Sequence, residues 1–467
     1  MGDVIEIIDD GVSGLVPKGV DGMPIITGVS SSGHGQAVLM SKNSLPESLI
    51  GVGPLTGRVN DFFATGGQKA VAIVVPVAGS GGEVGDITKT GTGPDITAAG
   101  TVLAAAQVVL IITKSGARNT ACYQLSTDAD SFDIERTVPV DGLIPVGNTG
   151  VTITIPETQV VKDDTYTFDI SPPTTSISNI IDAIDPVLET YDVEFVHVVG
   201  PSDSVAWAAC GVKADELWNK HRPTFFLMEA RLPAADETID DWTAALMNEK
   251  ATYAHRFVAV VAGFGEIMDS KGNRLKRNAA GLCAGRITRI PVMRHIGRVR
   301  DSGVSQVSMP AGYNQAHQVF LEKAGLITLQ KYAGLSAAYW GDDKTLADKT
   351  SDYQFLTVLR VVFKAVRISR LQALKSMKDE LGDPQHKEGA IGLKFLVANI
   401  QNGLDTMVTA VPSELAGHVV TIPEDQDFVN NGVAVSIKLV GIPIIKEIKL
   451  IFGYYYAGST FDPRYLQ

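Results

Sequence analysis

The sequence predicts a multidomain α/β plus β protein: a mixed α/β core, an inserted β-sandwich-like domain, and an α+β C-terminal domain with terminal strands. Three observations carry this. Apolar runs alternate with amphipathic helical patterns from about residue 175 onward, residues 85–171 read as strands alone, and 467 residues exceed one ordinary domain. The expected organisation is an N-terminal arm over 1–20, a core from 21–84 and 172–350, an insertion over 85–171, and a C-terminal domain over 351–467.

At the start of the chain, Val4, Ile5, Ile7 and Ile8 read as a short strand that meets Asp10-Gly11. Residues 24–30 are a strand entering a loop, and a helix is expected near 45–51. The stretch from Pro54 to Gly67 predicts a helix anchored by Phe62 and Phe63. Gly66 or Gly67 can supply the left-handed residue that ends it. Residues 71–75 follow as a nearly continuous apolar run, as expected of a strand covered on both faces.

From Gly79 to Gly93 the composition shifts to Gly, Thr, Ser and Asp, a connector rather than core. Residues 108–112, 151–155 and 165–170 are then short strands whose spacing suggests a small sandwich. Beyond Ser171-Pro172-Pro173 the pattern becomes helix 176–190, strand 193–199, helix 202–221, strand 224–228, helix 238–252 and strand 256–262. This βαβ rhythm implies a mostly parallel sheet. A small-residue helix over about 278–287 follows, then a strand and turn within 325–334. Helices are expected over about 352–380 and 387–410, and two strands around Gly441-Ile442-Pro443, the second over 448–452.

Apolar residues at 45% and charged residues at 20% leave surface available for burial in an assembly. A formal net charge of −12 argues against general nucleic-acid binding. Cys122, Cys210 and Cys283 stand far apart without metal-ligand spacing and read as free thiols of a reducing cytosol. No apolar run approaches the roughly 20 residues that cross a bilayer, so direct membrane insertion is not expected. The N-terminus lacks a signal-peptide pattern.

No phosphate loop, HExxH, GxSxG or well-placed dinucleotide fingerprint is present. Gly51-Val52-Gly53-Pro54 has the wrong spacing, and Pro54 removes a donor that phosphate would need. No two histidines lie at ligand spacing. His197, inside an apolar strand, reads as a hydrogen-bonded core residue rather than a base. The Asp-Asp pairs at 9–10, 163–164, 240–241 and 342–343 sit at turns or helix starts, where carboxylates cap N–H groups. No enzyme and no cofactor emerge from this reading. An α/β enzyme with an inserted β domain stays open as an alternative, with its site at the C-terminal edge of a sheet.

Charge and chain ends point elsewhere. Residues 269–300 are strongly basic, as are 359–378. Helical geometry places Arg360, Lys364, Arg367, Lys375 and Lys378 within an arc of about 80°. Such a stripe is either a solvated helix face or a contact for an acidic surface. The apolar residues Val4, Ile5, Ile7 and Ile8, and Ile448, Leu450, Ile451 and Phe452, form terminal strands. These either close the chain's own sheet or add to a sheet of another copy. Gly11, Gly14, Asn431 and Gly432 are candidate hinges beside them.

The order of four segments resembles the contractile tail sheath proteins of phage tails and related injection machines. These are the Phe62-Phe63 helix running through Gly66-Gly67 into a strand, the Ala280-Gly281-Leu282-Cys283-Ala284-Gly285 helix, Tyr339-Trp340-Gly341-Asp342-Asp343-Lys344-Thr345, and Asp352-Tyr353-Gln354-Phe355 leading to Arg360. The segment 288–295 departs from the family's usual text, which places the chain in a divergent branch. The resemblance implies a non-enzymatic virion or injection-system subunit, assembled in the bacterial cytoplasm without cofactors. Copies would stack as hexameric rings around an inner tail tube protein, between baseplate and tail terminator proteins, and contract by rearrangement without nucleotide hydrolysis. It also implies that the basic stripe faces the tube and that the terminal strands link subunits. Another self-assembling tube or shell protein is the remaining alternative.

Overall fold

The computed structural model describes residues 20–129, 131–147, 149–234, 236–268, 274–382, 390–424, 426–428, 430–457 and 464. The expected strand at Val4, Ile5, Ile7 and Ile8, with Gly11 and Gly14, lies outside them. A six-stranded sheet forms the centre, in the order Val258–Val261, Phe225–Ala230, Phe195–Ser202, Pro24–Val29, Val71–Val77, Val38–Ser41. The first five are mutually parallel, and Val38–Ser41 closes one edge antiparallel. The parallel strands are mostly apolar and buried, as suits a sheet with helices over both faces. Ile177–Thr190 and Ser204–Asn219 pack together on the sheet, as do the Phe-Phe helix Pro54–Gly66 and the small-residue helix Ala280–Arg289.

The Phe-Phe helix is built as its sequence suggests. Phe62 and Phe63 are buried and meet edge to face at 5.0 Å. Gly67, with φ 84°, ends the helix. Its partner helix approaches so closely that two glycines are required. A Cβ on Gly281 would lie 2.8 Å from the Arg58 carbonyl oxygen, and one on Gly285 would collide with the Phe62 carbonyl and the Thr65 hydroxyl. That close approach lets Thr65 donate to the Leu282 carbonyl at 2.8 Å.

The β-rich stretch leaves and rejoins the core side by side, where Ser80 and Thr174 exchange backbone hydrogen bonds of 2.9 and 3.0 Å. One of its sheets has Thr165–Ser171 and Ala106–Lys114 at its centre. The other is formed by Leu143–Pro145, Val151–Thr154 and Thr97–Gly100. Alternation of buried and part-exposed residues along Ala106–Lys114 marks one covered face. Its apolar residues, from Ile96 to Ile170, form a cluster separate from the core's.

Two features differ from expectation. A small sheet of Phe264–Met268, Arg274–Asn278 and Val307–Ser308 occupies sequence whose charge run hid its strands. The long helix also begins at Leu356, not 352. Residues before it are held extended, because Thr345 N–H pairs with the Gln354 carbonyl at 2.9 Å and Leu356 N–H with the Asp343 carbonyl at 2.7 Å. The Asp343 carboxylate then caps the helix through Thr357 N–H at 2.9 Å. After Leu356–Leu374 come the helix Ile391–Val408 and a two-stranded hairpin, Gly417–Thr421 with Ser436–Val440. These share a small cluster of their own around Val361, Leu404 and Leu415.

The two-glycine crossing yields a prediction. Gly285→Val should overpack the crossing and destabilise the core by about 1–3 kcal/mol, read as a lower denaturant midpoint. Gly57→Ala, on the same Phe-Phe helix but facing open space, should leave the midpoint unchanged or raise it.

Candidate functional site: the basic helix, the hairpin and the tail

The expected basic stripe is not a surface stripe. Arg360 is 2% exposed and makes a bidentate pair with the buried Glu194 carboxylate at 2.6 and 3.2 Å. Lys364 Nζ lies 2.7 Å from Asp21 and 2.8 Å from Glu414. Arg367 donates to the Val193 carbonyl at 2.9 Å and to the Pro223 carbonyl. Lys375 and Lys378 are exposed and fall beyond the helix, which stops at Leu374; Lys378 has φ 71°. The physical reason is the position of the partners. Asp21, Glu194 and Pro223 immediately precede parallel strands, so their groups crowd one edge of the sheet, and the helix lies across that edge.

Burial lowers the tendency of Lys364 to stay charged, yet Asp21 and Glu414 outweigh it and raise its pKa. Arg367 is pulled the other way by burial. The one sequence signal for this arrangement was Glu194, an acid inside an apolar strand run, which needs a cation when buried.

The hairpin stands apart. Its strands pair only with each other among the described residues. Val435, Ile437 and Leu439 pack toward the two helices, while Val419 and Val440 are exposed. Asn431 and Gly432 lie in the loop between its strands. A hinge there would bend the hairpin internally and would not swing the segment after it, which corrects their expected role. Gly441, followed by Ile442-Pro443, occupies the position that hinge requires, and no atom crowds it.

From 441 to 456 the chain forms neither helix nor strand, and no backbone hydrogen bond joins it to any described residue. The expected strand residues Ile448, Leu450, Ile451 and Phe452 are therefore unpaired here. Ile451 is 96% and Phe452 88% exposed. Near the root of the segment, Lys446 Nζ sits 3.2 Å from the centre of the Phe355 ring.

The remaining polar clusters are fasteners. Glu229 takes a bidentate pair from Arg58 at 2.8 and 3.0 Å and lies 3.3 Å from His197 Nε2, and His197 is fully buried as expected for a core residue. Burial alone would raise the Glu229 pKa; Arg58 and His197 outweigh it and hold it at about 2. Arg277 grips Asp61 at 2.6 and 3.0 Å, tying the small sheet to the Phe-Phe helix. Arg286 donates to the Ile296, Arg298 and Asp301 carbonyls. Much of the basic run over 269–300 is thus spent inside the chain. His295 lies 3.1 Å from Asp343 and 3.7 Å from Asp342. Among the described residues no group of His, Cys, Asp or Glu is arranged to hold a metal, and no helix is long and apolar enough to cross a membrane.

Residues 1–344 match the family described as DUF2586, N-terminal domain, and residues 352–459 the one described as DUF2586, C-terminal domain. The fold is similar to the sheath of an extracellular contractile injection system, PVC, in its contracted state (13% identity, 97% of this chain and 97% of that one, TM-score 0.53). It is also similar to the contracted helical sheath of the anti-feeding prophage (14% identity, 97% and 98%, TM-score 0.52). A third likeness is to the sheath tail protein of Desulfitobacterium hafniense (14% identity, 94% and 100%, TM-score 0.50). No curated protein matches the chain in sequence. The sheath fold expected from the four motifs is the fold observed.

His295 sets a pH dependence. Burial alone lowers its pKa, but Asp342 and Asp343 outweigh this and raise it to about 9 from an ordinary 6.5. A folded pKa above the unfolded one contributes stability fully below about 6.5, and that stability is lost as pH rises through about 9. Melting temperatures should therefore fall more steeply over this range for the natural protein than for His295→Gln.

Proposed function

The chain belongs to the DUF2586 family, and from its sheath fold and unpaired tail we propose that it is a structural subunit of a contractile sheath. Copies assemble as stacked hexameric rings around an inner tube in a virion tail or injection-system particle. They contract by rearrangement of subunits, without nucleotide hydrolysis and without catalysis.

The unpaired tail carries the reading. Residues 448–452 combine a strand-like apolar sequence with backbone groups that lack partners among the described residues, where the hairpin edges are likewise open. A two-stranded sheet alone is marginal, and an exposed apolar edge is a template for another chain. Donation of one copy's tail, and of another's N-terminal strand at Val4–Ile8, to the hairpin of a third satisfies all three.

Magnitudes support a reversible link. Burying Ile448, Leu450, Ile451 and Phe452 contributes about 1.5–3 kcal/mol each, and backbone pairing about 1 kcal/mol per bond. Ordering the segment costs about 1–2 kcal/mol per residue. Each link is worth a few kcal/mol net, and a lattice multiplies it. The segments beside Gly441 and beside Gly11 and Gly14 bend while the strands stay paired. Arg370, Lys375 and Lys378, beside the exposed end of the long helix, supply the basic contact to an acidic tube surface, which salt screens and motion can release. Baseplate and tail terminator proteins close the ends of the stack.

The test is assembly. The full chain, alone or with its tube protein, should form tubes of stacked rings in negative-stain images. A chain ending at Glu447 should fold and stay soluble but form none. Tubes from the shortened chain, or none from the full one, would contradict the proposal.

A further inference from the structure

We propose that Lys364 is a clasp joining the exit of the N-terminal arm to the root of the C-terminal hairpin. Its Nζ lies 2.7 Å from Asp21 Oδ2 and 2.8 Å from Glu414, two acids that no chain connectivity brings together. Asp21 stands at the start of the described residues, just before the first core strand Pro24–Val29. Next to it, Gly22 is locked from both sides: its N–H donates to Glu194 and its carbonyl accepts from Thr288 at 2.8 Å. Glu414 stands where the chain enters the hairpin. Its N–H returns to the Met407 carbonyl at 2.9 Å, Leu415 is buried, and Ala416 N–H donates to the Val440 carbonyl at 2.9 Å. The side chains of Lys364, Glu414 and Asp21 are 24%, 11% and 35% exposed, so solvent screens the Glu414 limb of the cluster less than the Asp21 limb.

The clasp has a rigid mount. Arg360 and Arg367, one helical turn to either side of Lys364, are held by Glu194 and by the Val193 and Pro223 carbonyls. Without the ammonium, Asp21 and Glu414 would face each other as like charges, so both roots would loosen together. The clasp rests on the sheath reading only for its purpose. If neighbours pull on the arm and the hairpin, load passes from one to the other through this residue, and bending is confined to segments outside it. On the C-terminal side that segment is 441–443.

Hydrogen exchange on the full-length, unassembled chain tests this. Asp21→Asn should speed exchange of the amides at Glu414, Leu415 and Ala416 by about two- to fivefold. Glu414→Gln should do the same to Gly22 and Met23, and Lys364→Met should affect both sets. Amides of Phe225–Ala230 should be unchanged in each variant, which controls for folding. If Lys364→Met does not fold, the two milder variants decide. Effects confined to the neighbourhood of each substitution would overturn the clasp. Because the measurement uses isolated chains, that failure leaves tube formation, and the sheath reading, to be judged separately.

Discussion

Arg360, Lys364 and Arg367 hold the long C-terminal helix across the starting edge of the parallel sheet, and the placement of the C-terminal elements follows from that join. The Glu194–Arg360 pair is buried on both sides. Such a pair stabilises little relative to an apolar replacement, but breaking it strands a charge at a cost of about 3–5 kcal/mol. Its effect is to exclude other placements of the helix. The hairpin, resting on the two C-terminal helices, is thereby oriented relative to the core.

A folded core with an exposed C-terminal segment is the arrangement that the proposed lattice needs. The charged groups that might suggest chemistry, Glu229 with His197 and Asp343 with His295, are enclosed by their own partners and fasten elements together. The apolar groove between Trp218, Pro223, Val366 and Leu374, about 350 Å³, is lined mainly by hydrocarbon. The exposed main chain at 441–456 has no backbone partner among the described residues. Main chain without partners is the currency of strand exchange rather than of catalysis.

Much of this was legible from residue order. The Phe62-Phe63 helix, the glycine stop, the buried strand after it and the alternating βαβ units followed from periodicity. The β-rich stretch followed from its short alternating runs. Gly281 and Gly285 read only as small residues, because a close helix crossing shows itself in three dimensions. The basic helix misled for a related reason. Angular spacing places Arg360, Lys364 and Arg367 on one face, but whether that face meets solvent depends on acids far away in sequence. Asn431 and Gly432 looked like a hinge by composition and proved to be a hairpin loop. Residues 448–452 form no strand among the described residues, because an apolar run shows that a strand is favourable and not where its partner lies.

Strand exchange between copies is the claim on which the rest turns, and a cryo-EM map of assembled tubes tests it most directly. Density for residues 448–452 of one copy should run beside Gly417–Thr421 or Ser436–Val440 of a different copy, with main-chain spacing near 4.8 Å. A map in which that segment turns back onto the hairpin of its own chain would contradict the account.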